Sequence, residues 1–204
     1  MPLNDVSLLA ISPYIARVNK ALEFYVNNNS KIDSAGLMLS IAQGPELGWS
    51  RVDDDEVPPL PSLNTKDLTN IIGFKRYNNM KMVVADATGN ISVGGLIWKE
   101  VTGATLDELK LNCKLAGARW VYVDAELAIN EFQDYTYRQV GLYSHLAIDT
   151  TIAPGYANTI SFLPSQIKTI TGLGYDGILE VYENRYPTVR PREMREIFSW
   201  VLEF

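Results

Sequence analysis

Asp124 and Glu126 stand two positions apart in the stretch ARWVYVDAELAI, and their types and spacing come nearest to a catalytic pair. Residues at i and i+2 of a β-strand share one face, so the two carboxylates are expected side by side, with Tyr122 next to them. Paired carboxylates hydrolyse glycosidic bonds by general acid–base chemistry. The same spacing is common on exposed sheets, and the sequence therefore favours a solvated polar face with ordinary charges.

A second chemical pattern is GLGYDG, Gly172 to Gly177, which has the spacing of a dinucleotide-binding fingerprint. That fingerprint needs a helix directly after the glycines, because the pyrophosphate binds at the helix N-terminus. The residues that follow, ILEVYENRYP, are β-branched and alternating and stop at a proline. The pattern therefore predicts a glycine-containing turn that leads into a strand, and no cofactor is expected.

Metal and nucleophile chemistry have few candidate residues in this chain. The single histidine, His145, is expected to pack among tyrosines on a strand, and its neighbour Ser144 lacks the G-x-S-x-G elbow of a hydrolase. The single cysteine, Cys113, reads as a small core residue on a helix. The acidic run Asp53–Glu56 lacks the glycine and alternate spacing of a calcium loop, so it predicts a solvated loop and no metal site.

Charge and composition exclude several classes of partner. The chain has 204 residues, 47% of them hydrophobic, and a formal net charge of −6. This composition predicts an ordered globular chain, taken as a single domain over residues 1–204. A net negative surface repels phosphate backbones and anionic lipids, so neither nucleic acid nor a membrane is an expected partner.

Two helices are predicted from capping signals and apolar spacing. The first begins near the N-terminus, with Ser12 as N-cap and Pro13 as first helical residue. The second, an insertion over residues 103–118, covers about 105–116, where Thr105 and Glu108 form a capping box and Gly117 ends the helix.

Most of the remaining chain has the pattern of antiparallel strands, because apolar and polar residues alternate over several segments. KMVVAD and ISVGGLIWKEV flank the turn cluster ATGN and read as a hairpin, and YTYRQVGLYSHLAI alternates with one buried face. The last residues, Ile197–Phe204, are predicted as a strand that turns Phe198, Trp200, Leu202 and Phe204 into the core. Residues 43–67 form a long irregular loop, and a loop of this length is either functional or held by a partner.

Both ends of the chain resemble one protein family. The N-terminal part reads YIARVNKALEFYVNN, then GLMLSIAQGPELGWS, then EVPPLPS, and the C-terminal part is GILEVYENRYPTVRPREMREIFSWVLEF. Their order is similar to that of the baseplate wedge proteins of contractile-tailed bacteriophages, of the gene-8 product type, in a shorter version. The family closes with a Glu-Asn-Arg-Pro-like turn, and here Tyr186 separates Arg185 from Pro187.

The resemblance implies an antiparallel β-sandwich with an N-terminal helix and one inserted helix. It implies a virion protein, made in the host cytoplasm, that is not an enzyme, forms a homodimer within a six-fold assembly and docks other baseplate wedge proteins. The candidate contact residues are Trp49, Pro58, Pro59, Pro61, Tyr182, Glu183, Asn184 and Arg185.

Two other functions remain open from the residues alone. Eleven tyrosines and four tryptophans can build a carbohydrate-binding module that recognises host-surface glycans, since aromatic rings with a polar tip are favoured at binding surfaces. The second is a hydrolase that uses Asp124 and Glu126.

Overall fold

The protein is mainly β, with antiparallel sheets and two α-helices, as the computed structural model shows for residues 13–29, 35–149, 151, 159–171 and 174–204. The predicted fold class is therefore confirmed. The helices are α1 (Tyr14–Asn28) and α2 (Leu106–Ala116). The strands, in chain order, are β1 (Ala35–Ala42), β2 (Arg51–Val52), β3 (Asp55–Glu56), β4 (Ile71–Arg76), β5 (Asn79–Ala85), β6 (Ile91–Val93), β7 (Leu96–Glu100), β8 (Trp120–Leu127), β9 (Thr136–Ala147), β10 (Ser161–Phe162), β11 (Thr169–Ile170), β12 (Gly174–Tyr175), β13 (Ile178–Val189) and β14 (Glu196–Glu203).

Two five-stranded sheets contain the long strands. The first has the order β10-β4-β1-β9-β13 and the second the order β14-β8-β5-β7-β6. In the first sheet every ladder is antiparallel, and β13 is an edge strand. The ladder between β13 and β9 is interrupted between Asn184 and Thr188, the stretch that contains Pro187. Two further pairs, β2–β3 and β11–β12, are short hairpin-like ribbons.

The chain divides into two compact units. One unit comprises the described part of Met1–Phe24 together with Lys81–Val121 and Val201–Phe204, and the other comprises Tyr25–Met80 and Tyr122–Trp200. We call them the small unit and the large unit. Whether they act as a single domain, as the composition predicts, stays a prediction.

The large unit contains the core of the sandwich. Leu39 and Ile41 of β1 pack with Ala125 and Leu127 of β8 and with Phe198 of β14, so side chains of both sheets meet in one apolar layer. Alternate residues of β1, such as Met38, face a second apolar cluster on the other side of the first sheet. The first sheet is therefore covered on both faces within this unit.

The small unit includes α2 and the end of the chain. Glu203 forms ion pairs with Arg17 at 2.8 Å and with Arg119 at 3.0 Å, and the Phe204 ring lies 4.9 Å from that of Phe24. These contacts fix the last residues of β14 against the first helix.

The predictions for the two helices are confirmed where the structure describes them. Thr105 caps α2 by accepting a hydrogen bond from the Glu108 amide, and Gly117 ends the helix with a φ of 70°. Cys113 is fully buried, and burial raises the pKa of its thiol to about 11. The predicted cap of the first helix, Ser12, lies outside the described residues.

The one-sided alternation predicted for β9 is wrong. Tyr137, Val140, Leu142 and Tyr143 are all buried, because both faces of this central strand are covered. The prediction for His145 is also wrong, since it is exposed, with a φ of 57° beside a register shift in the β1–β9 ladder. An extra residue at such a bulge turns its side chain out of the regular alternation.

The hairpin predicted around ATGN has a different pairing. β5 pairs with β7, as in Val83 with Glu100, and β6 forms its own hairpin with β7. Gly94 and Gly95 have φ values of 63° and 75°, which a two-residue turn between β6 and β7 requires and which glycine adopts without strain. ATGN therefore connects β5 and β6, and these strands are separated in the sheet by β7.

The C-terminal strand is confirmed, and its burial is unequal. Phe198 is 3% exposed and packs at 6.1 Å from the Trp200 ring. Trp200, Leu202 and Phe204 are half-buried, so their placement in the core was an overestimate.

Replacing Phe198 by alanine is expected to lower the free energy of unfolding by about 3–5 kcal/mol, because it opens a cavity in the sandwich core. The neighbouring Ile197 is 59% exposed, and Ile197→Ala is the matched control, with an expected change within about 0.5 kcal/mol. Urea denaturation measures both values. Equal losses in the two variants would contradict the assigned register.

Candidate protein-interaction surface

The acidic run in the long loop forms a tight hairpin. β2 and β3 pair through Arg51 with Glu56 and Val52 with Asp55. The two residues between them, Asp53 and Asp54, have φ values of 50° and 70°. Aspartate tolerates these angles better than most residues, so the run Asp53–Glu56 supplies a two-residue turn.

One acid of this run is neutralised by a bidentate ion pair. Arg138 on β9 donates to the two Glu56 carboxylate oxygens at 2.6 and 2.9 Å, and the Trp49 amide donates to the same carboxylate at 3.1 Å. The hydrogen bond from Arg138 is the main cause that lowers the pKa of Glu56 to about 2, from an ordinary value of 4.5. Glu56 therefore joins the hairpin to the first sheet.

Further along, the loop lies against the edge strand β13. The Trp49 indole donates to the Arg185 carbonyl at 2.8 Å, and the Asn184 amide group donates to the Pro59 carbonyl at 2.9 Å. The Tyr182 hydroxyl accepts from the Ser62 amide. Three consecutive parts of the loop are thus bonded to β13, which is more than 100 residues away in the chain.

Side chains of β9 form further hydrogen bonds to β13 and to the residues that follow the loop. Gln139 donates to the Asn184 side chain at 2.9 Å and accepts from the Thr69 amide at 2.8 Å. The Tyr143 hydroxyl accepts from the Leu68 amide at 2.9 Å, and burial raises the pKa of this tyrosine. The end of the loop is therefore fixed by polar groups that are themselves buried or half-buried.

Arg185 is held in place by three neighbours. Its guanidinium forms ion pairs with Glu183 at 2.7 Å and with Glu196 at 3.7 Å. It also lies 4.9 Å above the Phe198 ring, within the range of a cation–π contact. These contacts hold the Arg185 carbonyl in position to accept the hydrogen bond from the Trp49 indole.

The structure brings the predicted contact residues together. Trp49 reaches Arg185, Pro59 reaches Asn184, and Pro61 lines a groove with Tyr182. Pro58 adjoins Pro59, and Glu183 bonds Arg185. Trp49 is only 8% exposed and residues 182–185 are half-buried, whereas Pro59 and Pro61 are exposed. Their use as contact residues stays a prediction, and within the chain they form the frame of the loop.

Three exposed leucines on this loop were not predicted as site residues from the sequence. Leu47, Leu60 and Leu63 have relative exposures of 97%, 91% and 103%. Proteins that work alone seldom hold several large apolar side chains outward on one ordered loop. A signal was available in the sequence as PPLPSL, where prolines that restrict the backbone flank Leu60.

A shallow groove lies beside this frame. It has a volume of about 260 Å³, and its walls are the loop residues Pro61, Ser62, Leu63 and Thr65 and the β13 segment 179–182. Glu180 supplies the carboxylate of this groove, and Tyr182 supplies an aromatic ring.

The paired carboxylates are engaged in structural bonds. Asp124 is 9% exposed. Its carboxylate accepts hydrogen bonds from the Asn79 side chain at 2.9 and 3.1 Å and from the Tyr122 hydroxyl at 2.8 Å. The expected solvated face is therefore wrong for Asp124, because Asn79 and Tyr122 enclose it. Glu126 is paired with Arg195 at 2.5 Å, which lowers its pKa.

The glycine pattern leads into a strand, as predicted. Ile178–Val189 is β13, so no helix N-terminus follows Gly177, while Gly172 lies outside the described residues.

An open cleft of about 430 Å³ lies near the start of this strand. Its walls include Lys66, Asp67, His145, Tyr175 and Asp176. Ser144 is fully buried. Within the described ranges, no group of three or more His, Cys, Asp or Glu side chains is placed to hold a metal ion.

Exposed apolar side chains that lie together on a surface are typical of proteins that assemble with others. Comparison with known proteins agrees with this class. Residues 10–204 match the family model described as baseplate wedge 3 tail fiber network component, and the chain belongs to this family. It is also similar to virion protein 3 of Enterococcus phage phiEF24C, with 25% identity over 197 residues, which cover 96% of each chain.

The family assignment confirms the resemblance noted in the sequence. The protein is a structural component of the phage virion, located in the baseplate. Among the helices that the structure describes, none is both long and apolar enough to cross a membrane.

Glu56→Gln is expected to reduce stability at neutral pH and to remove part of the acid dependence. The folded-state pKa is lowered, so the ionised carboxylate stabilises the fold above pH 4.5, and this contribution is lost as the pH falls from about 4.5 to about 2. Urea denaturation of both proteins at several pH values tests this. The two curves should converge towards pH 2.

Arg138→Gln is the companion variant, because it removes the main cause of the lowered pKa. Its stability should also depend less on pH across the same window. A wild-type protein and a Glu56→Gln variant that stay equally far apart from pH 7 to pH 2 would contradict the role of this ion pair.

Proposed function

We propose that the protein is a non-catalytic part of the baseplate wedge, which acts in assembly by forming a homodimer and by docking neighbouring wedge proteins. The observation that carries this proposal is the match to a baseplate wedge and tail fiber network family over residues 10–204. The braced loop supports it, because its leucines are held outward without a covering element in the described chain.

The hydrogen bonds and ion pairs of the two candidate catalytic carboxylates support a non-catalytic role. A glycosidase needs one carboxylic acid with a raised pKa and a second carboxylate that is free to reach the sugar. Asp124 is enclosed by Asn79 and Tyr122, and the pKa of Glu126 is lowered by Arg195. These partners disfavour the hydrolase reading.

A phage that carries a stop codon in this gene provides the test of the assembly role. Without the protein, infected cells are expected to accumulate incomplete baseplates, and a plasmid copy of the wild-type gene should restore complete tails and plaques. The variant Glu126→Gln, which changes the more exposed of the two candidate carboxylates, should restore them to the same extent, since no catalysis is involved. Complete tails in the absence of the protein would overturn the proposal.

The homodimer has a separate test. Sedimentation of the purified protein at about 10–50 μM, a range suited to a moderately tight interface, is expected to give twice the monomer mass. Monomer alone at these concentrations would count against a dimer that forms before assembly.

A carbohydrate-binding role is the alternative. The open cleft that contains Lys66, Asp67, His145, Tyr175 and Asp176 has the mixture of charges and one aromatic ring that sugar sites use. A glycan array that captures the wild-type protein but not a Tyr175→Ala variant would favour this alternative.

A further inference from the structure

The exposed leucines belong to a segment that is already rigid before any partner binds. Trp49, Glu56, Pro59 and Ser62 each form a hydrogen bond to the first sheet of the large unit. Prolines at 58, 59 and 61 further restrict the backbone around Leu60. A preorganised segment loses little conformational entropy on binding, so the energy of burying its leucines goes into affinity.

The same loop carries an excess of negative charge. Glu46 precedes Leu47, and Asp53, Asp54 and Asp55 follow Val52, which is 59% exposed. Glu56 is already neutralised by Arg138. Arg51 is the one cation in the segment 43–57, so acidic residues flank Leu47 and Val52 in the chain.

This charge argues against a second copy as the occupant. In a two-fold dimer the same patch meets itself, and the acidic groups of the two loops would be brought together. Like charges across an interface oppose association, whereas Lys and Arg opposite these acids would favour it. The homodimer therefore uses another surface.

We propose that the loop, through its exposed residues Leu47, Leu60 and Leu63 and its acidic residues Glu46 and Asp53–Asp55, docks into an apolar groove with a basic rim on a different protein of the baseplate. This inference rests on the proposed function and names the surface and the partner chemistry. The leucines supply the affinity, and the acids supply long-range attraction that falls as salt screens it.

The experiment measures binding of the purified, labelled protein to incomplete baseplates from the stop-codon phage. Wild-type affinity is expected to fall as salt rises from about 50 to about 500 mM, a range over which screening becomes strong. Leu60→Ser/Leu63→Ser should bind at least about tenfold more weakly at every salt concentration. Asp53→Asn/Asp54→Asn/Asp55→Asn should bind more weakly at low salt and lose most of the salt dependence.

The control changes leucines that are also exposed but lie elsewhere. Leu111 and Leu115 of α2, in the small unit, are 56% and 78% exposed, so Leu111→Ser/Leu115→Ser makes the same chemical change away from the loop. This variant should bind like the wild type. Since all four leucines are exposed, each double variant should unfold at the wild-type temperature.

Different failures have different meanings. If wild-type protein does not bind the incomplete baseplates, the proposed function fails and this inference fails with it. If the wild type binds and Leu60→Ser/Leu63→Ser binds equally well, or if binding does not depend on salt, only this inference is overturned. If Leu60→Ser/Leu63→Ser converts a dimer into a monomer in sedimentation, the occupant is a second copy and the inference is wrong.

Discussion

The attachment of the long loop to the first sheet is the constraint on which the rest of the binding surface depends. Leucines on an unattached loop would collapse onto the nearest apolar surface, because that removes them from water. The bonds from Trp49 to Arg185 and from Glu56 to Arg138 prevent this, since they fix the backbone at two separated points. The outward position of Leu60 therefore follows from polar interactions at other positions of the loop.

These polar interactions connect the surface to the sandwich core. Arg185 lies over Phe198, which packs between the two sheets of the large unit. Gln139 and Tyr143 come from β9, the strand between β1 and β13. The sheet thus determines the geometry of the loop, and loss of packing at Phe198 would also displace a loop anchor. Residues that stabilise the sheet therefore also fix the loop.

Local patterns in the sequence predicted the elements that depend on neighbours in the chain. The ends of α2 follow from Thr105, Glu108 and Gly117, and the strand after Gly177 follows from its β-branched residues and its proline. The burial of both faces of β9 could not be predicted in this way. The alternation of residue types along a strand does not reveal that a second layer packs on the other face of the sheet. Trp49 and Arg185 were both selected as site residues, yet their bond joins positions 136 apart, and no local rule predicts such a pairing. The leucines were overlooked because an apolar residue in a loop can equally well pack inward.

The interrupted ladder at Pro187 has a consequence for newly made chains. An uncovered edge strand can pair with a strand of another molecule. Newly made β-rich proteins can aggregate in this way before they assemble. Between Asn184 and Thr188 β13 leaves its regular register, Pro187 has no amide hydrogen to donate, and the Arg185 carbonyl already accepts from Trp49. Strand addition along the outer edge of β13 is therefore interrupted at residues 185–187, so a second chain cannot pair continuously over the whole strand.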